Sequence, residues 1–345
     1  MTRTRIALSA VLAIALACTA PGRPLPDPLL VLEVPGSKVE AIDFVVVDLS
    51  GRELIRQTTG ATDANALPSL HAASAQVAFW RAADGGRELV VWNIATKALK
   101  VIATSASSPA VSPLWSVDGT EIVSLTTTIP IAWGPGATFE GKAEISVISA
   151  VTGQHRTLAT DHPFIPVFAD GQIVAGDSFN GDKTYTVVDA RSGQTLHELA
   201  LSGAVGVLPT ASPDVVIAMR QTSTPGVVTL HAMNARTGAE LRRLGQVYAQ
   251  PAPSWPGRNE VVFVDGGELM AVDHSANSTR VVGPLEGATY ALAFDPLGTV
   301  LLAARLADPP SYGIFTVVDG RLTSAIRPIP WPLLGRPMGL VRVKV

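Results

Sequence analysis

The 345-residue chain has a single cysteine, Cys18, so no internal disulfide can form and its stability has to come from an apolar core. Charge is scarce as well: 16% of residues are charged, against a usual share of roughly a quarter. No basic run and no basic–aromatic patch accompanies the net charge of −3, which argues against nucleic acid as a partner. Few segments join helical periodicity to helix-forming residues, while Gly and Pro recur at short intervals, which argues against a helical bundle. Beyond the N-terminus no apolar run reaches eighteen residues, so no spanning helix is expected.

The usual catalytic signatures are missing too. The six histidines (His71, His155, His162, His197, His231 and His274) are scattered, with no HExxH or other metal-ligand spacing. Asp273-His274-Ser275 holds the residue types of a triad, but adjacent residues cannot line up as nucleophile, base and orienter. The stretch "GDSFNG" at 176–181 lacks the second glycine of a nucleophile elbow. "DSFNGD" at 177–182 lacks the alternating order of a calcium loop and reads as a hairpin tip. No phosphate-cradling glycine loop is present. The sequence thus implies no catalytic residues, no metal site and no cofactor.

What is present begins at the N-terminus. Arg3 and Arg5 precede the twelve-residue apolar run Ile6 to Ala17, the length of a signal-peptide core and too short for a bilayer. The run ends in Ala15-Leu16-Ala17-Cys18, which resembles the lipobox of bacterial lipoproteins, with Ala15 where that family prefers Leu. The resemblance implies a signal peptide over 1–17, a lipid on Cys18, and attachment to the cell membrane or outer membrane. Plain cleavage after the A-x-A site, giving a secreted protein, is the alternative. Loss of Arg3 and Arg5 takes the net charge from −3 to −5. Pro21, Pro24, Pro26 and Pro28 make residues 18–28 a stiff tether.

From residue 29 the chain repeats. "VSPLWSVDGTEIVSL" at 111–125 reads as strand, tight turn, strand, and related segments occur around His71, Phe168, Ala211, Trp255 and Phe294. Taken as equivalent with Trp115, these residues are separated by 44, 53, 43, 44 and 39 positions. A second anchor, a β-branched strand followed by a polar or Gly-containing turn, alternates with the first in seven copies, from "FVVVDLSGREL" to "FTVVDGRLTSA". Four short strands per unit of some 40–45 residues is the signature of a β-propeller blade. The expected fold is all-β: a single propeller over 29–345 with seven four-stranded blades. Six or eight remain open, because the second and sixth copies are degenerate. The lone terminal strand "GLVRVKV", 339–345, is expected to close the ring.

"SPLWSVDGTEIVSL" resembles the TolB-type, or WD40-like, propeller repeat, matching at Pro113, Trp115, Ser116, Asp118, Gly119 and Ile122, with Val117 in place of a proline. The resemblance implies a fold and no activity, since such propellers serve as adaptors, gates and enzymes. Asp118 is expected to cap its own turn, with Gly119 at positive φ.

Candidate binding residues therefore sit where the repeat breaks. The longest such segment, 127–144, carries Trp133 and Phe139 among Gly and Pro. "TDHPF" brings Asp161 and His162, and "ADPPSY" brings Tyr312, onto the same expected face. The reading is an exported, lipid-anchored propeller binding a protein or small molecule without catalysis, meeting the membrane only through its lipid. The alternative is a propeller enzyme with a channel-face site, lactonase-like or quinone-dependent dehydrogenase-like.

Overall fold

A computed structural model describes residues 26–36, 41–61, 67–109, 111–128, 143–160, 165–169, 172–176, 184–200, 204–210, 214–224, 227–248, 254–273, 275, 278–285, 290–305, 311–330 and 335–345. The described segments form seven antiparallel sheets that follow one another along the chain.

From the inner strand outward, blade 1 is Arg336–Val341, Leu29–Pro35, Ala41–Val47 and Glu53–Ala61. In the same order, blade 2 is Ser69–His71, Gln76–Ala83, Gly86–Asn93 and Leu99–Ser105. In blade 3 the inner strand is split into Ser108–Pro109 and Leu114–Trp115, followed by Glu121–Thr127, Ala143–Ser149 and His155–Thr160. Blade 4 is Ile165–Ala169, Gln172–Gly176, Thr184–Asp189 and Thr195–Ala200. Blade 5 is Ala204–Pro209, Val215–Gln221, Val227–Asn234 and Glu240–Tyr248. Blade 6 is Glu260–Asp265, Glu268–Asp273 and Ser278–Pro284, and among the described residues its inner edge shows the single bridge Ser254–Val261. Blade 7 is Tyr290–Phe294, Val300–Arg305, Ser311–Val318 and Arg321–Pro330.

A four-stranded sheet of alternating residues has two apolar faces, and each must be covered. Each face meets the next blade, which gives seven buried clusters among the described residues, one per seam. Phe44 and Val46 of blade 1 pack on Phe79 and Trp92 of blade 2, with Phe44 and Trp92 stacked at 5.7 Å. The cycle returns on itself: Tyr312 and Ile314 of blade 7 pack against Leu30, Leu32 and Leu340 of blade 1. The molecule is a closed seven-bladed β-propeller.

Closure is made by the C-terminal strand, as the sequence suggests, but it begins three residues and ends four residues earlier than expected. The pairing runs from Glu33 with Arg336 to Leu29 with Val341. It stops there because the partner strand begins after Pro28, whose nitrogen has no hydrogen to donate. Arg342 then leaves the sheet and clamps the join. Its guanidinium donates to Asp295 Oδ2 in blade 7 at 2.6 Å, to Thr299 Oγ1 at 3.1 Å and to the Pro26 carbonyl at 2.9 Å. Asp295 is fully buried, and its other oxygen accepts from the backbone N–H groups of Thr299 and Val300. One charged network thus ties the last blade to both ends of the first.

Candidate functional site

The turn acids are structural. Asp118 Oδ1 accepts from the Ser116 hydroxyl at 2.6 Å, the Thr120 N–H at 3.0 Å and the Thr120 hydroxyl at 2.8 Å. The Ser116 bond is the main reason its carboxyl is held below the usual range, with the Thr120 backbone second. Gly119 has φ +69°, and a Cβ there would lie 2.4 Å from the His71 ring, so both backbone and packing require glycine. The corner is bonded to blade 2 in both directions: Trp115 Nε1 donates to the Ser69 carbonyl at 3.1 Å, and His71 Nε2 lies 3.0 Å from the Val117 carbonyl. A carbonyl only accepts, so His71 carries its proton on Nε2 and accepts from Ser74 at Nδ1.

Trp255 differs from the sequence-based alignment by one position. Its backbone N–H bonds Glu260, as Ser116 bonds Glu121 and Asp295 bonds Val300. Trp255 is therefore level with Ser116, and its indole faces forward, donating to the Gly298 carbonyl of blade 7 at 3.0 Å. Tryptophan content located the corner correctly, but only the ladder fixes its register.

Other turn carboxylates behave like Asp118. The Ser50 hydroxyl, ahead of the Arg52 backbone, pulls Asp48 down to about 2, and the Ser192 backbone N–H lowers Asp189. In blade 5 Glu240 is lowered chiefly by the His231 imidazole, whose Nδ1 lies 3.0 Å away. Each of these acids has a folded pKa below its unfolded one, so each contributes stability only while ionised. Stability is expected to be level above about pH 5 and to fall as pH drops from there toward 2. Calorimetric melting between about pH 6 and 2.5 checks this; a midpoint that rises on acidification would contradict it.

Of the residues singled out in the sequence, Cys18, Trp133, Phe139, Asp161 and His162 lie outside the described residues, as does "DSFNGD". The segment holding Trp133 and Phe139 joins the second and third strands of blade 3, and that holding Asp161 and His162 joins blades 3 and 4. Tyr312 is a correction: it is not on a loop. It sits inside the strand Ser311–Val318 with no exposed surface, its hydroxyl donating to the Gly335 carbonyl at 3.1 Å. Strand alternation puts it on the same face as Ile314, against blade 1, so it is core.

The seam between blades 2 and 3 holds a feature that was not anticipated. Its half nearest the inner-corner turns is apolar, with Ile122, Ile148 and Ala150 against Trp80 and Ile102. Further along the same face of blade 3, the cross-strand pairs are Ser124 with Ser146 and Thr126 with Glu144. In other blades the position of Ser124 is filled by Phe79, Ala218, Phe263 or Ala303, each in a seam cluster. The polar stripe leaves the seam incompletely filled, as a cleft of about 230 Å³ lined by Trp80, Ser124, Thr126, Glu144, Ser146 and His155.

Ser124 and Trp80 are each only 2% exposed, yet Ser124 Oγ and Trp80 Nε1 have no hydrogen-bond partner among the described residues. Leaving such a group unpaired costs about 1–3 kcal/mol, so two in one cleft make it the candidate site. Glu144 Oε1 accepts from Ser146 Oγ at 2.8 Å and Thr157 Oγ1 at 3.2 Å, which orients the carboxylate. The signal was present in "EIVSLTT", where Ile122, Ser124 and Thr126 share a face that turns from apolar to polar. Among the described residues no three His, Cys, Asp or Glu side chains cluster as metal ligands would.

No protein-family model matches the chain, and no curated protein sequence matches it. Solved structures do. An oligogalacturonate lyase in complex with manganese aligns with a TM-score of 0.54 and 11% identity, over 81% of this chain and 83% of that one. A protein assigned as a 6-phosphogluconolactonase from Bacteroides fragilis aligns with a TM-score of 0.54 and 14% identity, over 92% and 98%. TolB from Acinetobacter baumannii aligns at a TM-score of 0.47 and 14% identity, over 92% of this chain and 66% of that one. The fold is what the first two share with this chain, and at such identity a propeller by itself assigns no chemistry.

Proposed function

We propose that this chain is an exported, lipid-anchored propeller that works as a binding module, holding a ligand rather than transforming one. The observation that carries this reading is the polar cleft of blades 2 and 3. Its buried hydroxyl and indole N–H cost stability, and the hydroxyl stands where four other blades carry Phe or Ala. The turn acids support the reading from the other side, because each is already committed to its own turn. In this reading the N-terminal Ile6–Ala17 run and Cys18 supply export and anchoring. The segment around Trp133 and Phe139 follows directly on the strand bearing Ser124 and Thr126, which makes it the candidate contact for a protein partner.

Two measurements test this. Cys18→Ser is expected to move the protein from the membrane fraction to the soluble one, with loss of the lipid mass by mass spectrometry. An unmodified N-terminus after Ala17 would remove the anchor from the proposal. Trp133→Ala is expected to reduce captured partner protein at least about fivefold in a membrane pull-down, the effect of losing about 1 kcal/mol or more at an aromatic anchor. Unchanged capture would refute the role of that segment.

A further inference from the structure

The hydrogen-bonding inventory of the cleft restricts what can occupy it. Trp80 Nε1–H only donates, so the occupant must offer an acceptor there. Ionised Glu144 only accepts, so the occupant must offer a donor there. The Ser124 and Thr126 hydroxyls can do either, His155 offers a ring donor and a ring acceptor, and the Ser146 hydroxyl, already donating to Glu144, can only accept. An anion would face the Glu144 carboxylate, and a simple ammonium ion would leave the Trp80 N–H without an acceptor. A hydrocarbon would satisfy none of these groups.

Groups that donate and accept at neighbouring positions on a small frame are the hydroxyls of a sugar ring. A cleft of about 230 Å³ falls below the roughly 300–1,000 Å³ of sites for drug-sized molecules, which fits one ring and no more. We propose that the cleft between blades 2 and 3 binds a single neutral pyranose, with Glu144 accepting from one ring hydroxyl and Ser124 and Trp80 bonding another. This rests on reading the chain as a binding module and names the ligand class of that site.

The test titrates the full chain calorimetrically with the methyl glycosides of glucose, galactose and mannose. Galacturonate serves as the anionic probe and ethanolamine as the cationic one. At least one neutral glycoside is expected to bind saturably in the millimolar range, and galacturonate and ethanolamine are not. Ser124→Val and Glu144→Gln are each expected to weaken that binding about tenfold, the loss of one good hydrogen bond. Ser124→Val is also expected to keep or raise the melting temperature, because it removes a buried unpaired hydroxyl; this separates lost recognition from lost folding.

If galacturonate or ethanolamine binds and the neutral glycosides do not, the sugar assignment falls while the binding reading stands. If none of the five binds, both the sugar assignment and the cleft's role in the proposed function fall. If a glycoside binds with equal affinity to the native chain and both variants, its site lies elsewhere and this assignment is overturned.

Discussion

Arg342→Met is expected to destabilise the ring by about 3 kcal/mol, because it strands the Asp295 carboxylate inside the protein. Asp295 is fully buried, and the Arg342 side chain is only 17% exposed, so solvent can do little to compensate. The backbone donors of Thr299 and Val300 still hold one carboxylate oxygen. That places the effect toward the low end of what loss of a buried partner causes. The double variant Arg342→Met with Asp295→Asn is expected to recover part of the loss, since no charge then remains buried. Equilibrium urea unfolding of the two variants and the native chain measures this. A single variant within about 0.5 kcal/mol of native would show that the clamp is dispensable, as ordinary surface substitutions are.

Removing residues 336–345 is expected to have a larger effect and abolish cooperative folding. The deletion takes away Leu340 and Val341, both fully buried, at about 2 kcal/mol each. It also removes the ladder from Glu33–Arg336 to Leu29–Val341, the ion pair of Arg336 with Glu33, and the clamp itself. Those losses together approach or exceed the whole stability of a typical domain, about 5–15 kcal/mol. The bared strand Leu29–Pro35 would then offer an open edge for pairing with other chains. The truncated protein is expected to lose its near-ultraviolet circular dichroism and to elute as aggregates from a sizing column. A peptide of residues 335–345 added during refolding is expected to restore monomer. A truncated chain that melts as sharply as the native one would show that the ring does not depend on this strand.

The repeat was legible because blades are marked by local chemistry. Turns such as Ser116–Glu121 need an oxygen side chain and a residue tolerant of positive φ, and both requirements can be read from a few adjacent letters. The lone terminal strand was legible for a similar reason: a blade missing its inner strand at one end of the chain, and a strand without a blade at the other. What escaped depends on register between segments far apart in sequence. Trp255 looked equivalent to Trp115 until the Trp255–Glu260 bond placed it level with Ser116. Tyr312 looked like part of a Pro-rich loop because the boundary at Ser311 leaves no mark in "ADPPSY". The cleft is harder still to read, since it exists only when Ser124 pairs with Ser146, twenty-two positions away, and both face Trp80 of another blade.

The arrangement at Pro26 has a mechanical consequence. The chain enters the ring along the axis of Leu29–Pro35, a strand held on one side by Arg336–Val341 and on the other by Ala41–Val47. A force pulling on the N-terminal segment therefore loads both ladders in shear, so that many hydrogen bonds must yield together. Peeling from a sheet edge would break them one after another at far lower force. The Arg342 grip on the Pro26 carbonyl lies directly in that line of tension and shares it with the buried aspartate of blade 7. A pull on the N-terminal segment is thus passed into the blade that both ends of the ring build.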